Sequence, residues 1–299
     1  MVDFLSYERR LLRVTNYVHE HLDEELDLNK LAEIACMSPY HWHRVYQGVF
    51  GESVVAMVKR LRLQRAATLL ARTTTPIEEI GALSGYPNLQ SFTRIFSAVY
   101  GMPPARFRKE GRCLPSLSQQ QLRSDLMFPV EIRNTNELSL ICVPHTGSYM
   151  GISQAFDTLN ACVSSRQLYT PATRWIGIFL DDPATVDETR LRSFACITAP
   201  ESMPAPILDA PLIHKQLTAG KYAVLRYKGP YSEMQPVYQW FCGVWFPASG
   251  YEIADVPPFE DYLNNPRETP PSELLTDIYI AIKSGSGKSD NGSNGVIGS

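Results

Sequence analysis

Thr75 to Arg108 reads TPIEEIGALSGYPNLQSFTRIFSAVYGMPPARFR, and this stretch decides the fold of the first third of the chain. Thr75-Pro76-Ile77-Glu78 has the form of a capping box with proline at the first helical position, which predicts a helix start. Ile77, Ile80 and Gly81 share one face of that helix. Gly81 costs up to about 1 kcal/mol of helix propensity against alanine, so its presence predicts room for a crossing helix. Ser84-Gly85-Tyr86-Pro87 makes a turn, and Asn88 is placed to cap a second helix. That helix is expected to bury Leu89, Phe92, Ile95 and Phe96 and to expose Gln90, Thr93 and Arg94. Gln90 and Arg94 are four apart and so lie on one face.

The unit occurs twice. Fifty residues earlier, Trp42-x-x-Val45-Tyr46 stands in the place of Phe92-x-x-Ile95-Phe96, Arg44 in that of Arg94, and Ser38 in that of Asn88. Leu28, Leu31, Ala32 and Ala35 predict a short helix after Asp27, and Cys36-Met37 a turn. Ser38 then caps a helix that has Pro39 at its first position. It buries Trp42, Val45, Tyr46 and Val49 and turns Tyr40, His43, Arg44 and Gln47 outward. A short helix, a tight turn and a helix with a polar, cationic outer face are the parts of a helix-turn-helix. A first helix is expected over Phe4 to His21. Ser53 to Arg72 reads as one helix between the units, roughly 30 Å long at 1.5 Å per residue. That is close to the ~34 Å turn of B-DNA, so the two outer faces can enter successive major grooves. Arginine favours guanine there and glutamine favours adenine.

The 299 residues carry a formal charge of −3, unevenly spread. Residues 1–112 hold 15 Lys+Arg against 12 Asp+Glu, and residues 113–299 hold 13 against 19. Within the first part Glu20 to Asp27 is acidic, whereas Lys59, Arg60, Arg62, Arg65, Arg106, Arg108, Lys109 and Arg112 are basic. A local cationic face is what DNA binding requires, whatever the total. The six cysteines include no C-x-x-C pair, and His41 and His43 point to different faces of a helix, so neither a zinc knuckle nor a metal pair is expected. No apolar run has membrane-spanning length, and the start of the chain lacks the pattern of a signal peptide. The expectation is a cytoplasmic protein without cofactor or metal.

The first 112 residues resemble the DNA-binding domain of AraC/XylS-family transcription regulators. The resemblance rests on Ile77-x-x-Ile80-Gly81-x-x-x-Gly85-Tyr86, Phe92-x-Arg94-x-Phe96 and Tyr100-Gly101-Met102-Pro103-Pro104-x-x-Phe107-Arg108. Gly81 replaces the commoner alanine, and Tyr86, Tyr100 and Phe107 are aromatic exchanges off the reading face. It implies that Tyr40, Arg44, Gln90 and Arg94 face bases, with His43 and Thr93 beside them, on double-stranded promoter DNA. RNA polymerase is the further partner such a regulator implies.

Cys113 to Gln121 is polar and aperiodic and reads as the start of a linker. Beyond it the chain repeats at an offset of about 82. His145-Thr146-Gly147-Ser148-Tyr149 matches Tyr227-Lys228-Gly229-Pro230-Tyr231, and Asp181-Asp182-Pro183 matches Asn264-Asn265-Pro266. Each copy is read as strand, Gly-x-Tyr loop, helix, strand, Pro loop, strand, which predicts a pseudo-symmetric α+β domain with a cleft between its halves. This half resembles the GyrI-like effector-binding fold, through Asp181-Asp182-Pro183, Phe259-Glu260-x-Tyr262 and Thr276-Asp277-Ile278-Tyr279-Ile280. The order of reader then sensor is the Rob-type order. The resemblance implies an aromatic pocket around a buried glutamate that takes bulky hydrophobic cations. Glu260 fits that role, and Trp175, Tyr149 and Tyr279 are the expected aromatic contacts, although Tyr279 faces away from Ile278 and Ile280.

The predicted chain is therefore multidomain: an all-α double helix-turn-helix domain (1–112), a linker (113–126), an α+β duplicated GyrI-like domain (127–283) and a disordered tail (284–299). The expected function is a non-enzymatic, DNA-binding transcription regulator that senses a small hydrophobic effector. Two alternatives remain open. One is hydrolysis of electrophilic small molecules with Glu260 as general base. The other is a C-terminal protein-interaction module without a ligand.

Overall fold

The computed structural model describes residues 4–24, 26–112, 128–183, 185–200 and 209–283, with residues 4–7, 39–41, 43, 111 and 112 described by their backbone alone. The expected linker and tail lie outside the described residues. The N-terminal domain is seven helices: α1 Phe4–Glu20, α2 Leu28–Ile34, α3 Pro39–Phe50, α4 Val54–Arg72, α5 Ile77–Leu83, α6 Leu89–Tyr100 and α7 Pro104–Arg112. Polar caps set their starts: Asp27 accepts from Asn29 N, Ser53 from Ala56 N and Asn88 from Ser91 N. Gly101 ends α6 at φ +73°, a left-handed cap that suits glycine. The capping box does not form as expected. Pro76 itself is the N-cap, with extended ψ of 143° and no side-chain cap bond, and its carbonyl accepts the first helical bond from Ile80 N. Thr75 is one residue too early to cap, and its carbonyl instead accepts from Arg108.

Two cores correspond to the two units. Trp42, Tyr46 and Phe50 of α3 pack with Leu11, Val14, Leu31 and Met57, while Phe92, Phe96 and Tyr100 of α6 pack with Leu63, Ala67, Ile80 and Phe107. Gly81 sits against α6 as its propensity cost implied: a Cβ there would lie 3.2 Å from the Phe92 ring and from Tyr86 O. Leu89, expected in the core, is an exposed residue at the first turn of α6. Arg62 of α4 ties the units together. Its Nε donates to Leu22 O at 2.7 Å, its Nη1 to Gly85 O at 3.2 Å and its Nη2 to Glu24 O. A side chain on Gly85, whose φ is +75°, would collide with that guanidinium. Arg60, Arg62 and Arg108, read from sequence as cationic surface, thus hold the fold together instead.

The C-terminal domain is an eight-stranded antiparallel sheet: β1 Val130–Thr135, β2 Leu138–Thr146, β3 Trp175–Phe179, β4 Arg192–Thr198, β5 Ile213–Leu217, β6 Gly220–Lys228, β7 Phe259–Tyr262 and β8 Leu275–Ala281. Helix α8 (Ser153–Ser165) follows β2, and α9 (Met234–Trp240) follows β6. The strand order is β1-β6-β8-β7-β3-β4-β2-β5. The duplication is therefore real, and each half also has a leading strand, β1 or β5, that pairs with the other half. One face of the curled sheet encloses Leu140, Ile176, Cys196, Tyr222, Phe259 and Tyr279. The other face carries α8 and α9.

The domains dock through α8. Ala161 is part of the N-terminal core. Asn160 Nδ2 and Ser164 Oγ donate to Val49 O, in the last turn of α3, at 3.2 and 3.3 Å. Asp157 accepts from Arg267 Nη2 at 2.9 Å and pairs with His19 Nε2 at 3.0 Å. Arg267 Nε also donates to Glu52 Oε1 at 3.0 Å, and Glu52 holds Arg60 at 2.6 Å. At the other end of α8, Glu8 accepts from Arg166 Nη2 at 2.9 Å and Ser165 Oγ at 2.8 Å.

Candidate functional site

The two halves of the sheet join edge to edge at β3 and β7, where Gly177 pairs with Glu260 and Trp175 with Tyr262. The duplication offset is 83 residues for the last strands, Arg192 to Leu275. Glu260 stands at the same offset from Gly177, so the pair across the junction is a pair of equivalent positions. The pseudo-dyad runs through it, with a carboxylate on one side and no side chain on the other. The glycine is required: a Cβ on Gly177 would lie 2.7 Å from Tyr262 Oη and 3.1 Å from the Phe179 ring.

Glu260 is 5% exposed and sits on the helical face. Tyr238 Oη of α9 donates to its Oε1, and Tyr262 Oη to its Oε2, both at 2.8 Å. Tyr231, from the Gly-x-Tyr loop, packs edge-on to Tyr262 at 5.4 Å, and Phe156 of α8 does the same from the other side, also at 5.4 Å. Burial raises the Glu260 carboxyl to about 7, and the two tyrosine hydrogen bonds, which favour the anion, offset only part of that rise. Burial, together with the negative charge of Glu260, pushes the hydroxyls of Tyr231, Tyr238 and Tyr262 above their ordinary range. They therefore stay protonated donors. The folded-state value of Glu260 lies above that of the unfolded chain, so the group costs nothing at low pH. Its cost to the fold builds up as pH rises from the unfolded value near 4.5 to about 7 and levels off above that at about 3 kcal/mol. Strongly shifted, desolvated carboxyls of this kind are concentrated at functional sites.

Of the aromatic contacts expected from sequence, Trp175 is brought to this cluster, beside Tyr262 and 6.1 Å from Phe156. Tyr149 lies further along the junction, edge-on to Phe179 at 4.9 Å, with its hydroxyl pinned to Asp181 O and N at 2.7 and 2.9 Å. Tyr279 is not brought to the site. Ile278 is the β8 residue beside Glu260, so Tyr279 faces the opposite side of the sheet, stacked on Phe259 at 4.4 Å. The alternation of its strand already carried that signal. Sequence reading missed Tyr238 and Tyr231 as neighbours of Glu260. The only hint was their equivalence to Phe156 and Tyr149 in the repeat. Among the described residues no group of His, Cys, Asp and Glu could hold a metal ion, and no helix is long and apolar enough to cross a membrane.

In the N-terminal domain Arg44 and Gln47 of α3 and Gln90 and Arg94 of α6 are exposed, and Thr93 is half-buried. The side chains of Tyr40 and His43 lie outside the described residues. Burial of Trp42 and Tyr46 behind α3, and of Phe92 and Phe96 behind α6, fixes which face each helix turns outward.

Comparison with known proteins matches both parts. A model of the GyrI-like small-molecule-binding domain matches residues 128–283, and a helix-turn-helix domain model matches residues 31–110. The chain is 30% identical over 104 residues to the uncharacterized HTH-type transcriptional regulator YbfP of Bacillus subtilis, a match covering 35% of each chain. It is 31% identical over 93 residues to the right origin-binding protein of Escherichia coli, covering 31% of this chain and 32% of that one. The match thus spans about a third of the curated relatives' length. A solved EcmrR–DNA complex aligns over 84% of both chains at 12% identity and a TM-score of 0.47. With a family model covering more than half its length, the chain belongs to the GyrI-like family, its small-molecule-binding domain carried behind a helix-turn-helix domain of AraC type.

Proposed function

We propose that the chain is a sequence-specific, DNA-binding transcription regulator whose C-terminal domain binds a bulky hydrophobic cation at Glu260. The observation that carries the sensor half is a buried carboxylate, raised to about 7, held by two tyrosine hydroxyls and walled by aromatic rings. A cation among such rings gains charge pairing and cation–π attraction where water is excluded. The reader half is carried by the duplicated helices with Arg44, Gln90 and Arg94 outward. Tyr40, His43 and Thr93 complete the base-facing set, and RNA polymerase is the proposed further partner. Helix α8 joins the two functions: Phe156 packs on Tyr262 in the sensor, and Asp157 beside it pairs with His19 of the reader. By linkage, a ligand that moves this helix must bind one docking arrangement better than the other.

The test is calorimetric titration with phenyltrimethylammonium and its neutral isostere tert-butylbenzene, at pH 6 to 8. The cation should bind more tightly, and more tightly still as pH rises through 7, because only the ionised carboxyl attracts it. The titratable groups facing Glu260 are tyrosines, which stay neutral over this range. Glu260→Gln should weaken the cation by about 30-fold or more and flatten the pH dependence. Equal affinity for cation and isostere would rule the reading out. Silence across a wider panel of lipophilic cations and bile-salt-like anions would leave the protein-interaction module. A carboxyl near 7 also suits a general base. Turnover of a strained electrophile, lost in Glu260→Gln, would move the domain to the hydrolases.

A further inference from the structure

Thr276 lies in β8 between Tyr227 of β6 and Tyr262 of β7, its register partners. Register puts it on the same face as Tyr262 and Glu260, diagonal to Glu260, where neighbours of an antiparallel pair are about 7–8 Å apart. It is fully buried, yet its Oγ1 has no hydrogen-bond partner among the described residues. A hydroxyl stripped of water without a partner costs free energy, and such an atom in a folded core requires an explanation. Threonine in a buried strand could be valine at no loss of shape. The duplicate position in the other half is Ser193, likewise buried and without a partner. It lies beside Phe179, in the half whose junction residue is Gly177 and not a carboxylate. Of this duplicate pair, Thr276 is the one on the strand next to Glu260, while Ser232 beside Tyr231 is a further buried hydroxyl without a partner among the described residues.

Resting on the reading of Glu260 as a cation site, we propose that Thr276 Oγ1 anchors a hydrogen-bonding substituent of the ligand. The site then takes aromatic cations that carry a hydroxyl or amine about one ring's length from the charge, in preference to purely apolar ones. The substituent would reach Thr276 past its cross-strand neighbour Tyr262, while the charged group sits at Glu260. Selectivity here comes from the unpaired hydroxyl: a ligand lacking the substituent leaves Thr276 buried and unsatisfied.

The test compares phenyltrimethylammonium with 3-hydroxyphenyltrimethylammonium on the full chain by titration calorimetry. The hydroxylated probe should bind about 3- to 10-fold more tightly. Thr276→Val should bind the two probes equally, Thr276→Ser should keep the preference, and Ser193→Ala should keep it as well. Thr276→Val should also melt no lower than the parent, since the hydroxyl it removes has no partner in the free protein. Equal binding by the parent, a preference surviving in Thr276→Val, its loss in Ser193→Ala, or a lowered melting temperature of Thr276→Val would each overturn the proposal. Glu260→Gln separates the two levels. If it weakens both probes while the hydroxyl preference is absent, the cation site stands and the threonine anchor falls. If it weakens neither, or if neither probe binds the parent, the cation site falls and takes the anchor with it.

Discussion

Asp157→Ala should cost about 3–5 kcal/mol and release the sensor from the reader. Asp157 is 3% exposed and compensates two groups at once, His19 from α1 and Arg267 from the loop after β7, with Arg60 of α4 adding its charge. Burial alone would raise its carboxyl, but the His19 hydrogen bond and the Arg60 and Arg267 charges outweigh that and hold it below the usual range. Removing it leaves Glu52 as the one close carboxylate for both Arg60 and Arg267, and that uncompensated buried charge, not a lost attraction, is why the expected effect is large. For a domain of this size the loss corresponds to a melting shift of roughly 10 °C, read by calorimetry or fluorescence. Asp157→Asn keeps the shape and part of the hydrogen bonding and should fall between. The functional readout is DNA affinity with and without phenyltrimethylammonium. In Asp157→Ala the ratio should collapse toward one while each domain still binds its own ligand. A melting temperature within about 2 °C of the parent, or an undiminished ratio, would mean that the ion network neither holds nor couples the domains. The linkage has a defined sign. Asp157 and Glu8 are both held low in the docked state, so their contribution is present above the unfolded carboxylate value. It is lost as pH falls through the lower folded one, and acid should undock the domains.

Nothing in the sequence announced this docking. Glu52, Asp157 and Arg267 are more than a hundred residues apart at each step, and each reads alone as ordinary solvated charge. Local chemistry was a better guide where the argument is local. Asn88 was read as a cap and is one, and the helix starts expected after Asp27 and at Ser53 fall within a residue of those observed, because capping is a short-range hydrogen-bond rule. Thr75 failed as a cap by one position because a capping box fixes a motif but not which carbonyl accepts first. In the sensor, the repeat located the Gly-x-Tyr loops, yet β1 and β5 escaped it. Ile213-His-Lys-Gln-Leu217 at the sheet's edge is mostly polar and shows no alternation to detect. Glu260 was legible because the GyrI-like resemblance implies a buried glutamate and this residue follows the apolar Val256-Pro257-Pro258-Phe259. Its tyrosine partner Tyr238 was not, because only folding brings a helix 22 residues upstream over the carboxylate. Tyr279 shows the converse: the one-residue difference from Ile278 decides the face, and register outranks aromatic character.

Arg44→Ala with Arg94→Ala should abolish site-specific DNA binding while leaving weak, sequence-independent attraction. Each well-made base contact discriminates by about 1–3 kcal/mol, so the pair should cost about 100-fold or more if both arginines read bases. The geometry favours an all-or-none outcome. Helix α4, with 19 residues, is about 28 Å long, and Arg62 fixes its register to both the α1 end and the Gly85 turn. The two outer faces are thus carried by one stiff body whose spacer helix is close in length to the duplex repeat, so losing either contact misaligns little but losing both removes the reading. Gln90→Ala should relax preference at a single position, with a smaller loss of affinity. The measurement is anisotropy titration against a site selected from random duplexes, repeated over a salt series. If the arginines touch only phosphate, the double variant should weaken all sequences equally and lower the salt slope by about 2. That outcome would keep the DNA interface but remove base reading from these side chains. An unchanged site preference and an unchanged slope together would sink the assignment of α3 and α6 as reading helices, because no other duplicated cationic face is presented by the described residues of the reader.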